Sequence, residues 1–446
     1  MNFPLHSRAC GLQRFLRPLG LALLPAALLS GCGGGGGSSG SSSFTLGGTV
    51  TGLSTGGLVL SNGTDTLAVA ANAASFAFST AVSGSYAVAV KSQPLGQTCS
   101  VSNGSGSASS NVTSVQVTCR NYMAYVGNAG GYNITQFSVS SSNGGLSSLS
   151  LTSTAAPVAG LVFSSDGRFA FVSHSSDAAV KAYTVTSSGT LGLVGSVSAV
   201  ADSRGLAISP DNSHVYVTNY TDKTISQFNV DSSTGALTAM STAKVAAGST
   251  PMAIALTPNG SYAYAVNQGD NTISQFSVGS GGSLVALTTA TVSTAGTGTL
   301  PIALAASPDS ASLYVVSKGS AKVLQYTIGS TGALTAKSPA SLATGSTPLG
   351  IAMTPSGSCA YVPNSGDGSV SQYIVTGGQL TALSTATITA GATPTGVAVS
   401  PDGAYLYVSN AGDATVSQYA IGSGCTLSAR GSVASGGNAP GAIAVR

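Results

Sequence analysis

The sequence predicts an all-β chain: a seven-bladed β-propeller closed by its C-terminal strand and preceded by a small β-sandwich-like domain. Three observations carry this reading. An anchor residue recurs at Asn128, His174, Asn219, Asn267, Ser317, Asn364 and Asn410, in steps of 46, 45, 48, 50, 47 and 46 residues. A period in the forties with several short strands per repeat marks a propeller rather than a helical solenoid. Three residues before every anchor stands a ring: Tyr125, Phe171, Tyr216, Tyr264, Tyr314, Tyr361 and Tyr407. Finally, the repeat that starts at Tyr122 lacks a first strand, and the missing strand appears at 439–445.

Each repeat encodes four strands, as residues 250–288 illustrate. Pro251 opens a short apolar run that ends at Pro258-Asn259-Gly260. Pro presets φ there, and Asn-Gly tolerates the left-handed conformation of a tight turn. A second run over 262–266 leads into the Gln268-Gly269-Asp270-Asn271 turn, and a third alternates over 272–278. A glycine-rich turn at 279–282 precedes the fourth run, around 284–288. Four strands joined by short hairpins make one antiparallel blade.

The first strands begin near Pro157, Arg204, Pro251, Pro301, Pro348 and Pro394, and they favour Ala and Gly, as the crowded axis demands. The chain has no Trp, so Tyr and Phe must fill the space between blades. A third-strand series at Phe137, Tyr183, Phe228, Phe276, Tyr326, Tyr373 and Tyr419 adds to the anchor rings. Gln136, Gln227, Gln275, Gln325, Gln372 and Gln418 precede six of these, and their buried amides are expected to hydrogen-bond between blades. The terminal strand at 439–445 should pair with the strand holding Tyr125, which removes an open sheet edge.

Residues 1–31 read as a secretory signal: Arg8, Arg14 and Arg17 precede an apolar stretch at 19–29, too short for a membrane span. Leu29-Ser30-Gly31-Cys32 resembles the bacterial lipobox, which implies cleavage before a lipidated Cys32. Residues 33–43 are all Gly and Ser, so 32–43 forms the lipidated Cys and a flexible tether. The resemblance implies a lipid anchor in the cell envelope, and Gly33 after the Cys favours the outer membrane of a bacterium. Residues 44–120 carry short alternating runs at 67–70, 86–90 and 112–118, hence the small β domain, with 121–446 left for the propeller.

Cysteine usage agrees with export. Cys10 leaves with the signal and Cys32 carries lipid, which leaves an even four. Cys99 and Cys119 bracket a polar loop and should form a disulfide. Cys359 starts a second strand and Cys425 lies in a turn on the same face of the disc. That placement allows an inter-blade disulfide without deciding it. Neither pair has metal-ligand spacing, and no metal or cofactor is expected.

Charge narrows the function classes. Without Arg8, Arg14 and Arg17, twelve basic residues remain against 12 acidic ones, and charged residues make up 6% of the chain. A basic footprint for nucleic acid is lacking. Every acidic residue is Asp. Asp166, Asp211, Asp309 and Asp402 occupy the turn between first and second strands, where an Asx-turn role is expected. Asp177, Asp222, Asp270, Asp367 and Asp413 stand three residues after the anchor, on the opposite face. These last are either a repeated hairpin brace or a ring of carboxylates able to hold a cation or polar ligand.

Of the two His beyond the signal, His174 and His214 fall on opposite faces of the disc. His174, Asp177 and Arg204 are the candidate catalytic set, a general base with an oxyanion partner. Asp222, Asp270, Asp367 and Asp413 are the candidate ligand-binding set. The chain shows no Gly-x-Ser-x-Gly elbow, phosphate loop or Cys-x-x-Cys pair.

The YVTN at 216–219, with SPDG at 400–403 and SPDN at 209–212, resembles the YVTN-repeat propellers, which overlap with the lactonase-type (6-phosphogluconolactonase-like) seven-bladed propellers. The resemblance spans about 121–446 and implies the fold. For activity it implies a central polar site with Glu, His and Arg, and this chain has no Glu. The leading expectation is therefore an exported, lipid-anchored propeller acting as a non-catalytic binding or scaffold module. Its expected partners are the membrane, through the N-terminal lipid, and a surface or periplasmic ligand. The alternative is a lactonase-type hydrolase acting on a lactone.

Overall fold

The computed structural model describes residues 43–199 and 202–446. The signal, the Cys32 lipidation site and nearly all of the Gly/Ser tether lie outside the described residues.

Strands from Leu46 to Asn121 form two four-stranded sheets packed around Leu46, Leu58, Leu60, Val115 and Val117, a sandwich-like arrangement. Cys99 and Cys119 face each other across paired strands Gln97–Ser102 and Val112–Asn121 and are disulfide-bonded, as expected. A core of this size is marginal alone, and a cross-link stabilises it by limiting the unfolded chain.

From Met123 onward the chain builds seven four-stranded antiparallel sheets, blades 1 to 7, each strand pairing with the next in sequence. Their second strands are Met123–Asn128, Phe169–His174, His214–Asn219, Tyr262–Asn267, Ser312–Ser317, Cys359–Asn364 and Tyr405–Asn410. Blade 1 is completed by Pro440–Val445, which pairs antiparallel with Met123–Asn128 and sets Ala444 opposite Tyr125. The ring therefore closes through hydrogen bonds between the two ends of the propeller.

The aromatic series lock neighbouring blades. Tyr125, Tyr216, Tyr264, Tyr314, Tyr361 and Tyr407 are fully buried. Each hydroxyl donates to a carbonyl in the next blade's turn between third and fourth strands, for example Tyr264 to Gly332 O at 2.7 Å. Phe171 fills the seventh position without a hydroxyl. Five of the six Gln side chains also cross a seam: Gln275 Oε1 accepts from Leu334 N–H at 2.8 Å, and Gln418 Oε1 from Leu146 N–H at 2.8 Å. Gln136 departs from expectation and stays within blade 1, because Ser150 and Thr152 of its own sheet offer hydroxyls at 2.5 and 2.7 Å.

The turn glycines pack on the first residue of the preceding blade's second strand, and all are left-handed, from φ 69 at Gly144 to φ 86 at Gly189. In blade 7 this position is Cys425, with φ 68, and its neighbour in blade 6 is Cys359. The two form a disulfide, which settles the pairing the sequence left open.

Small residues line the axis because the first strands nearly touch. A Cβ on Gly205 would lie 2.5 Å from Ala253 Cα, and one on Gly396 would lie 2.1 Å from Gly441 O. Blade 6 departs from the expected first strand near Pro348. Only Ala352–Met353 pairs as a strand, because Pro363 on the neighbouring strand has no N–H to give the ladder.

Candidate functional site

The anchor residues are interior braces. Asn267 Nδ2 donates to Thr272 Oγ1 and Ser274 Oγ, both at 2.9 Å, and Asn219 does the same to Thr224 and Ser226. Asn364 and Asn410 repeat the pattern, and Asn128 bridges Asn133 and Thr135. All five are fully buried, so each amide holds its 2–3 hairpin closed from inside the blade.

Blade 2 replaces the whole brace. His174 takes the place of Asn, while Ala179 and Lys181 replace the two hydroxyl residues. The imidazole is fully buried, with Nδ1 3.3 Å from Ala156 O. A carbonyl only accepts, so Nδ1 carries the hydrogen and Nε2 keeps its lone pair. That Nε2 has no partner in the structure. Burial holds the His174 pKa below the ordinary imidazole value, with Asp177 pulling the other way. The result is a neutral ring in the tautomer of a general base.

The candidate catalytic set divides. Asp177 accepts from Lys181 Nζ at 3.0 Å, and Lys181 also donates to Thr154 O. Arg204 turns toward blade 3 instead, with Nη2 2.6 Å from Asp202 Oδ1 and the guanidinium 5.3 Å over the Tyr220 ring. Only its backbone approaches blade 2, where Arg204 O accepts from Ser173 Oγ at 2.6 Å. Lys181 and Asp202 were therefore missed by sequence reasoning. The signal for Lys181 was present: blade 2 alone combines His, Ala and Lys at three positions that blades 3, 4, 6 and 7 fill with Asn and two hydroxyl residues.

The candidate ligand-binding Asp side chains are spread over separate loops. Asp270 and Asp367 each accept the backbone N–H of Ser249 and Ser346 at 2.5 Å, tying the hairpin to the loop entering its own blade. Asp413 accepts from Ala392 N–H at 2.9 Å and from Thr415 Oγ1, and Asp222 pairs with Lys244 at 3.3 Å. The N–H of Ser249, then its hydroxyl, holds the Asp270 pKa below the ordinary carboxyl value. Among the described residues no group of three or more His, Cys, Asp or Glu is placed to hold a metal. On the other face, Asp166, Asp211, Asp309 and Asp402 each accept from a Ser hydroxyl and a turn N–H, as Asx turns.

Residues 152–252 and 301–446 match the model of the lactonase seven-bladed β-propeller family. No curated protein matches the chain in sequence. Among solved structures, it is similar to a Bacteroides fragilis protein provisionally described as a 6-phosphogluconolactonase, with TM-score 0.65 and 20% identity over 73% of this chain and 98% of that one. A periplasmic gluconolactonase from Pseudomonas aeruginosa matches with TM-score 0.62 and 18% identity, over 73% of this chain and 98% of that one. At these identities the likeness is one of fold. The family match covers more than half of the chain, which belongs to the lactonase family of seven-bladed β-propellers.

Proposed function

We propose that the protein is a lactonase-type hydrolase that opens an uncharged lactone on the face carrying His174. The observation that carries this is the Nε2 lone pair of a neutral His174, which has no hydrogen-bond partner, in a blade where His, Ala and Lys replace the Asn brace. Family membership favours hydrolysis over the scaffold reading.

In this reading His174 Nε2 takes a proton from water while the water oxygen attacks the lactone carbonyl. The ring C–O bond then breaks, and the imidazolium returns the proton to the departing alkoxide, giving a hydroxy acid. Asp177 lies near enough to favour the imidazolium electrostatically, and Lys181 fixes that carboxylate. Arg204 is committed to Asp202 and Tyr220, so it is placed to shape the loop entering blade 3 and takes no part in stabilising the developing oxyanion in this reading. His174 is fully buried, so this reading requires an opening that admits water and substrate to Nε2 while the Nδ1–Ala156 O contact is kept.

An uncharged substrate follows from the cations of this face. Lys181, Arg204 and Lys244 are each paired with an Asp, and Lys223 and Lys318 stand in the turns of separate blades, so the face offers no cluster of free cations for a phosphate. The two disulfides fit an oxidising compartment, in keeping with an exported, Cys32-anchored protein.

The test is a pH-stat assay of the full chain against a lactone panel that includes 6-phosphogluconolactone. Saturable turnover on a neutral lactone, lowered at least tenfold in a folded His174→Ala variant, is the expected result. A folded wild type with no turnover above the uncatalysed rate would overturn the proposal, as would an unchanged rate in His174→Ala.

A further inference from the structure

A cavity of about 540 Å³ lies on the other side of the molecule, between the N-terminal β domain and the mouth of the propeller channel. Its walls are the far ends of the first strands, among them Leu161, Phe163, Leu206, Ile208, Ile254 and Val445. The domain contributes Thr98, Ser100, Thr118 and Arg120. The volume falls in the range of small-molecule sites, roughly 300–1,000 Å³.

Two guanidiniums stand in this apolar chamber, from Arg120 and Arg446. Arg446 Nε donates to Tyr125 Oη at 3.2 Å, and the guanidinium lies against Gly167, while its Nη2 is buried without a hydrogen-bond partner. Arg120 makes one long bond, 3.4 Å from Nη1 to Val185 O. Neither is among the ion pairs of the described residues. Asp166, the one carboxylate side chain on the cavity wall, is held by Arg168 at 2.6 Å. Partial burial, then the charge of Arg446, lowers the Arg120 pKa, with Asp166 pulling the other way, so the two cations are close enough to repel each other. Both residues are half-buried, and a guanidinium withdrawn in part from water without an ion pair is a ready partner for an anion.

We infer that this cavity binds an aliphatic carboxylate, with the carboxylate between Arg446 and Arg120 and the chain along the first-strand walls. A guanidinium meets a carboxylate through two parallel N–H donors, and Arg446 Nη2 is free to supply one. The alkyl chain displaces water from Leu, Ile, Val and Phe side chains. This site is distinct from the His174 face and stands whether or not the protein hydrolyses lactones.

Equilibrium dialysis of the full chain with radiolabelled decanoate, hexanoate and 1-decanol tests the inference. Decanoate is expected to saturate a single site, bind more tightly than hexanoate by roughly fourfold per methylene, and bind at least tenfold more tightly than 1-decanol. A folded Arg446→Gln variant should bring decanoate down to the decanol level. Non-saturable uptake, equal binding of acid and alcohol, or unchanged affinity in a folded Arg446→Gln variant would each overturn it. Should that variant fail to fold, the acid–alcohol comparison in the wild type decides alone. The lactone assay reports on the other face, so failure of one proposal leaves the other intact.

Discussion

Blade 4 and blade 2 share a backbone plan and differ in what closes it. In blade 4 the buried Asn267 amide bridges Thr272 and Ser274, all neutral groups whose bonding is independent of pH. In blade 2 the same space holds His174 beside the Asp177–Lys181 pair, so a titratable set replaces a passive brace. The fold tolerates the exchange because strand pairing and aromatic seams carry the blade. A duplicated scaffold can thus exchange one internal brace for a different set of side chains while keeping its strand pairing.

The largest effect tests a second departure from the repeat, at the blade 6–7 seam. Removing Cys359–Cys425, which are 66 residues apart, by Cys359→Ser with Cys425→Ser should cost about 4 kcal/mol by the loop-entropy relation, read from urea unfolding against wild type with Cys99–Cys119 kept oxidised in both. Cys359→Ser with Cys425→Gly should then be more stable than Cys359→Ser with Cys425→Ser by about 1 kcal/mol. Glycine restores the residue that the other six turns use at positive φ, where Cys425 sits at φ 68. Equal stability of the two variants would show that the left-handed position carries no strain.

The brace itself is tested next. Asn267→Ala removes two buried hydrogen bonds and should cost about 2 kcal/mol in urea unfolding. Grafting the blade 4 brace into blade 2, as His174→Asn with Ala179→Thr and Lys181→Ser, should keep stability within about 1 kcal/mol of wild type. The same variant should lose lactone turnover at least tenfold. Retained turnover would remove His174 from the mechanism while leaving the structural comparison standing.

The smallest effect is a pH dependence confined to blade 2. The folded state holds His174 neutral, with its pKa below the unfolded value of 6.5. As pH falls below that value the unfolded chain binds the proton first, so this stabilisation is present above it and lost on the way down to the folded pKa. Between pH 7.5 and 5.5 the wild-type Tm should fall by about 1–2 °C more than that of the grafted variant. Parallel curves would mean that burial does not hold His174 neutral.

Much of this molecule was legible in the chain because duplication writes the same constraint many times. The rings at Tyr125 to Tyr407, the Asx turns at Asp166 to Asp402 and the terminal strand each had to occupy one place in a repeated blade. A residue unique to one blade has no such copies to read against. Arg204 and His174 share a face by connectivity, yet only side-chain direction shows that Arg204 turns to Asp202 and Tyr220. Cys359 and Cys425 were similarly assigned to one face, and their bonding required knowing that the turn residue of one blade packs on the strand start of the last.

By itself the sequence determined the number of blades, their strand order and the closure. Those follow from period, alternation and turn chemistry, which act within or between neighbouring segments. Tertiary structure alone decided which polar groups spend their hydrogen bonds on the scaffold and which keep one free. That question depends on contacts across blades and domains: Asp270 is used up by Ser249, whereas His174 Nε2 and Arg446 Nη2 are left without partners.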